Sequence, residues 1–154
     1  MCDCGVCERI RLTKEGKNPY FVRELKSGYV VLGDVQRFEG YALLLCREHK
    51  TELHHLTYEN RMQFLSDMAL VAEAVDHAFH PDKLNYALLG VGKAVHMHWH
   101  IFPRREGDTP APGPVWQLGK ALHDPAFRPD AEKLEALKAA LGSEIDKLLA
   151  AREA

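Results

Sequence analysis

The chain has 154 residues, 46% of them hydrophobic and 27% charged, with a formal net charge of −2. That is the size and composition of one globular domain with an apolar core, spanning residues 1–154. The near-neutral balance excludes a general nucleic-acid binder, which needs a basic surface. No apolar run approaches the roughly 20 residues that span a bilayer, so no membrane association is expected. Met1-Cys2-Asp3-Cys4 lacks the basic start and apolar stretch of a secretory signal, and a cytoplasmic chain is expected. Three of the four cysteines fall within the first seven residues. With no export signal, that crowding points to a metal or to reduced thiols rather than to disulfides.

In chain order, residues 20–24 and 29–32 are aromatic and β-branched and are separated by Ser27-Gly28, which predicts a hairpin. Residues 33–40 read as a polar loop. Residues 41–46 are a short apolar run, hence a buried strand. Thr57 is placed to cap a long helix. Tyr58, Met62, Leu65, Ala69, Ala72, Val75 and Phe79 recur along that helix at steps of three and four, predicting its apolar face, and Pro81 stops it. Residues 84–89 and 95–102 predict two further strands, the second ended by Pro103. Residues 104–129 hold five of the eight prolines and read as a structured loop. Asp130 caps a final helix with a narrow stripe of Leu134, Leu137, Leu141, Ile145 and Leu148. The order predicts an α+β fold: an antiparallel sheet of about five strands, one long helix packed on it, and a C-terminal helix. Residues 110–154 supply the proline-rich loop and that last helix.

The chemistry concentrates in His96-Met97-His98-Trp99-His100. Along a strand, alternate side chains share a face, about 6.6 Å apart at their Cα atoms. His96, His98 and His100 would then face one way, with Met97, Trp99 and Ile101 turned to the core. A neutral imidazole can attack phosphorus and form a covalent nucleotidyl-histidine that water later cleaves. The attacking ring must be held in one tautomer, with donors aimed at the phosphate. The middle histidine, flanked on both sides, is best placed for the attack. A three-histidine metal site is the alternative, but ligands two apart on one strand span a tetrahedral site poorly. A solvated strand face carrying histidines by coincidence is the bland one.

The segments Asn85-Tyr86-Ala87-Leu88-Leu89-Gly90 and His96-Met97-His98-Trp99-His100-Ile101-Phe102-Pro103-Arg104 resemble the histidine triad superfamily. Trp99 and Pro114-Val115-Trp116 are similar to its diadenosine polyphosphate hydrolase branch. The resemblance covers about residues 2–117. It implies an enzyme that cleaves a phosphoanhydride at the α-phosphate, with His98 as nucleophile, His100 against the phosphate and His96 in support. The substrate implied is a diadenosine polyphosphate or similar nucleotide. Nucleotidyl transfer or phosphorolysis, phosphoramidate cleavage on the same centre, and a nucleotide-binding module with little turnover stay open. Asp34 matches the position that holds the ribose; a turn residue after Gly33 is the alternative. A homodimer is implied as well. The chain departs from the family pattern in two places. Val91 follows Gly90 where asparagine is usual, in a connection one residue longer that carries Lys93 as a candidate phosphate contact. Gly40-Tyr41 stands where a Gly-His pair is usual.

Cys4-Gly5-Val6-Cys7 has the spacing that brings two thiolates to one zinc, or is a pair of thiols without metal. By the resemblance, His49 and His96 complete the zinc site. His54 and His55, just before the long helix, are rival ligands or surface residues, and Cys46 reads as a small buried hydrophobe. Arg104 and Arg105 follow the histidines. Arg104 is the candidate for the leaving polyphosphate, or else the pair is a solvated one balanced by Glu106 and Asp108. Trp116 is a candidate to stack on a base, on a partner subunit, or into the core. His123 has no evident part in the chemistry.

Overall fold

The computed structural model describes residues 4–92 and 95–154. The hairpin forms as β1 (Phe21–Glu24) and β2 (Gly28–Leu32), followed by β3 (Ala42–Cys46). A second hairpin of β4 (Lys83–Leu88) and β5 (His98–Arg104) completes one antiparallel sheet in the order β1-β2-β3-β5-β4. Residues 115–123 and 125–127, inside the proline-rich stretch, form 3-10 turns. Among the described residues three α-helices, α1 (Gly5–Lys14), α2 (Tyr58–Phe79) and α3 (Ala131–Glu153), cover the two faces of the sheet.

Strand alternation sorts the side chains. Val30, Leu44, Met97 and Ile101 turn to one face, where they bury against Phe64, Leu70 and Val71 of α2 and Leu141 and Ile145 of α3. Each such fully buried chain contributes about 1.5–3 kcal/mol from its apolar area. The opposite face carries Tyr29, Val31 and Leu45, covered by Ile10 of α1, and then His98, His100 and Phe102. Of the predicted stripe of α3, Leu134, Leu137, Leu141 and Ile145 are buried and Leu148 is half-buried. Thr57 caps α2 through Asn60 N–H, and Asp130 caps α3 through Lys133 N–H. Asp67, buried in α2, accepts from the backbone and hydroxyl of Ser27 and from Gln63, which ties the hairpin turn to the helix. Gly28 lets the sheet close there, since a Cβ would lie 1.9 Å from the Leu45 carbonyl oxygen.

Three elements differ from the sequence reading. Residues 5–14 form a helix, capped by the Cys4 side chain through Cys7 N–H; Val6, Ile10 and Leu12 make too sparse a period to announce it. The buried face of α2 is rotated from the predicted stripe. Ala72 and Val75 of that stripe are buried, with Phe64, Asp67, Leu70, Val71 and Ala74, while Tyr58 and Met62 are 74% and 47% exposed. The helix is apolar on two sides, so periodicity alone does not choose between them. Finally, β5 begins at His98 and runs through Pro103 to Arg104. Beyond the Ile101 pairing β3 no longer runs beside it, so Pro103 pairs only with Leu84 of β4 and its missing N–H breaks no ladder.

Candidate active site and metal centre

His98 and His100 share a face, as alternation requires, and both line a cavity of about 240 Å³. Its floor is Val31, Leu43 and Leu45. Helix α1 walls one side with Val6 and Arg9, the loop after β2 contributes Asp34 and Arg37, and Trp116 and His123 close the other side. The His98 ring is held by its Nδ1, which donates to the carbonyl of His96 at 2.8 Å. A carbonyl can only accept, so the proton sits on Nδ1 and the Nε2 lone pair is left for the cavity. The rings of His98 and His100 meet at 4.7 Å. Burial, reinforced by His98, pushes His100 down to about 4, so it is neutral at physiological pH.

His100 is also ordered by residues outside the histidine motif. The Tyr41 hydroxyl lies 2.6 Å from its Nδ1. Trp116 stands edge-on to the rings of His100 and Phe102, at 5.2 and 5.6 Å, and is 39% exposed. Trp116 therefore both anchors the proline-rich segment and lines the cavity.

His96 plays a different part from its neighbours. It precedes the strand, is 2% exposed, and donates from Nε2 to the Cys46 carbonyl at 2.6 Å. Its Nδ1 then faces Cys7 Sγ at 3.4 Å and Cys4 Sγ at 3.9 Å. His49 Nδ1 lies 3.2 and 3.6 Å from the same sulfurs. The four ligand atoms of Cys4, Cys7, His49 and His96 all fall within 4.8 Å of one another. A tetrahedron with Zn–S and Zn–N bonds of ordinary length has sulfur–nitrogen edges of about 3.6 Å, so this donor set fits a closed zinc site. The His96 Nε2–H bond to a carbonyl is the orienting contact that such ligands usually have. Burial pushes the His96 imidazole below its ordinary value, toward the neutral form that ligation needs. His54 and His55 sit apart in an exposed 3-10 turn, and Cys46 is a buried hydrophobe whose thiol is pushed up by burial.

Asp34 lines the cavity, but it is not alone there. Arg9 of α1 grips both its oxygens, at 2.7 and 2.5 Å, and the hydrogen bond to Asp34 raises the Arg9 guanidinium. Arg104 does not reach the cavity. Its guanidinium binds Asp108 through two nitrogens at 2.8 Å each, and also Asn85 and the Gly113 carbonyl. The expected phosphate contact is thus a loop-fastening residue, because the carboxylate four residues on and the returning loop saturate its fork. Arg105 is likewise engaged, by the Phe79 and Glu39 carbonyls. Lys93 lies outside the described residues. Nothing in the sequence marks Arg9 or Arg37, and His123, read there as outside the chemistry, also lines the cavity. Arg9 precedes the first predicted strand, Arg37 and His123 lie in predicted loops, and only the fold brings the three to the cavity. The Arg37 guanidinium carbon lies over the Phe127 ring at 4.9 Å, and its buried Nε has no hydrogen-bond partner among the described residues.

No membrane-crossing helix occurs among the described residues. No curated protein matches the chain. Among solved structures, a histidine triad protein from Bradyrhizobium japonicum is 26% identical, with a TM-score of 0.71 over 88% of this chain and 94% of that one. A zinc-bound histidine triad family protein from Mycobacterium smegmatis shares the fold at 21% identity and a TM-score of 0.59, over 96% of this chain and 99% of that one. A diadenosine triphosphate hydrolase from Plasmodium falciparum shares it at 16% identity and a TM-score of 0.61, over 84% and 78% of the two chains. The HIT domain model matches residues 19–107, from β1 through the histidine strand and the turn after it, and the chain belongs to the HIT domain family.

Proposed function

We propose that the chain is a nucleotide hydrolase that cleaves a phosphoanhydride at the α-phosphate through a covalent nucleotidyl-histidine on His98. The observation that carries this reading is the His98 Nδ1–H bond to the His96 carbonyl, which fixes an unprotonated Nε2 facing the cavity. In the first step the Nε2 lone pair attacks the α-phosphorus, and the bond to the bridging oxygen breaks with its electron pair leaving on the released phosphate. In the second, water attacks the same phosphorus, the P–N bond breaks and its electrons return to Nε2; the water proton passes to solvent. His100 and Arg37 are the groups that would meet the phosphate oxygens, and Asp34 the ribose hydroxyls. Trp116 offers an aromatic face beside them. The substrate class is a diadenosine polyphosphate or similar nucleotide, a reading supported by the fold shared with the Plasmodium hydrolase.

Cys4, Cys7, His49 and His96 would hold a structural zinc, supported by their donor chemistry and spacing. The metal supplies no step of the reaction; it would pin α1 and the backbone that orients His98. The protein assembles as a homodimer in this reading. Support comes from exposed apolar side chains, Tyr58 and Met62 on α2 and Tyr86 (49% exposed) on the edge strand β4.

The experiment is cleavage of a diadenosine polyphosphate by the native chain and by His98→Ala. A loss of about 10³-fold or more is expected, together with a labelled nucleotidyl-protein that forms only in the native chain. Turnover retained in His98→Ala would falsify the assignment.

A further inference from the structure

We propose that Tyr41 is a positioning residue that locks His100 in the tautomer opposite to that of His98, so that one ring offers a lone pair at Nε2 and its neighbour a proton at Nε2. This rests on the hydrolase reading for its consequence in turnover, but not for the ring chemistry itself.

The Tyr41 hydroxyl and His100 Nδ1 lie 2.6 Å apart. Two arrangements satisfy such a distance: the hydroxyl donates to a bare Nδ1, or a protonated Nδ1 donates to the phenol oxygen. In the second, the phenol proton needs another acceptor, and the hydroxyl has none among the described residues. The hydroxyl is therefore the donor. Burial, then Asp34, holds the phenol far above its ordinary value, so it keeps its proton. The neutral His100 ring then carries its own proton on Nε2, the nitrogen not tied to protein.

His98 shows the reverse assignment by the same logic, because its Nδ1 meets a carbonyl rather than a hydroxyl. Two neutral imidazoles two residues apart on one strand thus differ only in the partner of Nδ1. Nucleophilic attack needs the first form. Donation to a phosphate oxygen, which gains charge as the bridging bond breaks, needs the second.

Tyr41 is held firmly enough to impose this. Its ring stacks on Phe102 at 4.1 Å with planes 6° apart. Gly33 makes room for it, since a Cβ there would lie 2.2 Å from Tyr41 Cδ1. The Gln36 amide donates to the carbonyls of Tyr41 and Gly33 and accepts from Gly40 N–H, which fixes the loop that leads into the ring.

The test is NMR of the full-length, metal-loaded chain with ¹⁵N-labelled histidine rings, without substrate, for the native protein and Tyr41→Phe. The native chain should show His98 protonated on Nδ1 and His100 on Nε2. In Tyr41→Phe, which keeps the stacked ring, the His100 nitrogens should shift toward a mixture of tautomers while His98 stays unchanged. Turnover should fall about 10- to 100-fold in kcat, with KM within about threefold, since the lost contact acts on the transition state. A native His100 protonated on Nδ1, or a Tyr41→Phe chain with unaltered His100 tautomer and kcat, overturns the proposal. A native chain that cleaves no nucleotide overturns the hydrolase reading, and the ring tautomers still decide the part of Tyr41.

Discussion

Arg9 and Asp34 form a two-pronged contact across the mouth of the cavity, Nη1 to Oδ1 and Nη2 to Oδ2. Each carboxylate oxygen keeps a second acceptor site, so the fork orients Asp34 without using it up. Arg9→Ala should raise KM for a ribonucleotide about three- to tenfold, the value of one hydrogen bond, with kcat within about twofold. Asp34→Asn should do more, and should erase the preference for a ribonucleotide over its 2′-deoxy counterpart. Steady-state kinetics on the two substrates checks both. The pair is about one-third exposed on each side, so neither change should cost much stability.

Metal content of the purified chain should be about one zinc per chain, and Cys7→Ser should abolish it. The melting temperature should fall with it, because α1 loses the anchor that Cys4 and Cys7 give its first turn. Removing the metal from the native chain with a chelator should also lower kcat, since the carbonyl that orients His98 belongs to a ligand, His96. Mass spectrometry of the intact chain, thermal melts and turnover read these three outcomes separately.

For Arg104 the expected outcome is a stability loss without a kinetic one. Its side chain and that of Asp108 are 13% and 16% exposed, and the Arg104 fork holds the Asp108 carboxyl below its ordinary range. Arg104→Ala removes the guanidinium donor from the Gly113 carbonyl and from that carboxylate, which keeps the Arg105 N–H, at about 1–3 kcal/mol. Urea unfolding should show the loss, while KM for the nucleotide should stay within about twofold. A large rise in KM would return Arg104 to the phosphate.

Acid should destabilise the fold through His100. In the unfolded chain this ring takes a proton near 6.5; in the fold it does so only at about 4. Between those values the unfolded state binds the extra proton. Stability therefore falls as pH drops from about 6.5 to about 4, and the loss levels off below that. The full gap corresponds to about 3 kcal/mol. In His100→Gln, which cannot take up that proton, the difference between denaturation at pH 7 and pH 4.5 should shrink by an amount of this order.

Sedimentation should give a dimer, and Tyr86→Glu on the edge strand should shift it to monomer. A charge there is stranded in an apolar contact, and edge strands are guarded by charge in proteins that stay single. A native chain that sediments as a monomer sinks the dimer reading.

Alternation and capping made the strands and the two long helices readable, because they are local: period two, period 3.6, Thr57 and Asp130 at helix starts. By the same rule the sequence determined that His98 and His100 share a face and that Met97, Trp99 and Ile101 turn to the core. The C-x2-C spacing offered two candidate zinc ligands, and the resemblance to known triad proteins implied the other two. What the tertiary structure decided was each side chain's partner, because partners come from residues distant in the chain. Arg104 met Asp108 and a returning loop instead of the cavity. Arg9, in a helix too weakly periodic to be read, reached Asp34 from 25 positions away. Tyr41, 59 positions from His100, reached its Nδ1, while the carbonyl two residues back took that of His98. Two identical imidazoles on one strand thus acquire opposite proton placements, since a tautomer is set by the neighbour of a nitrogen and not by the residue that carries it.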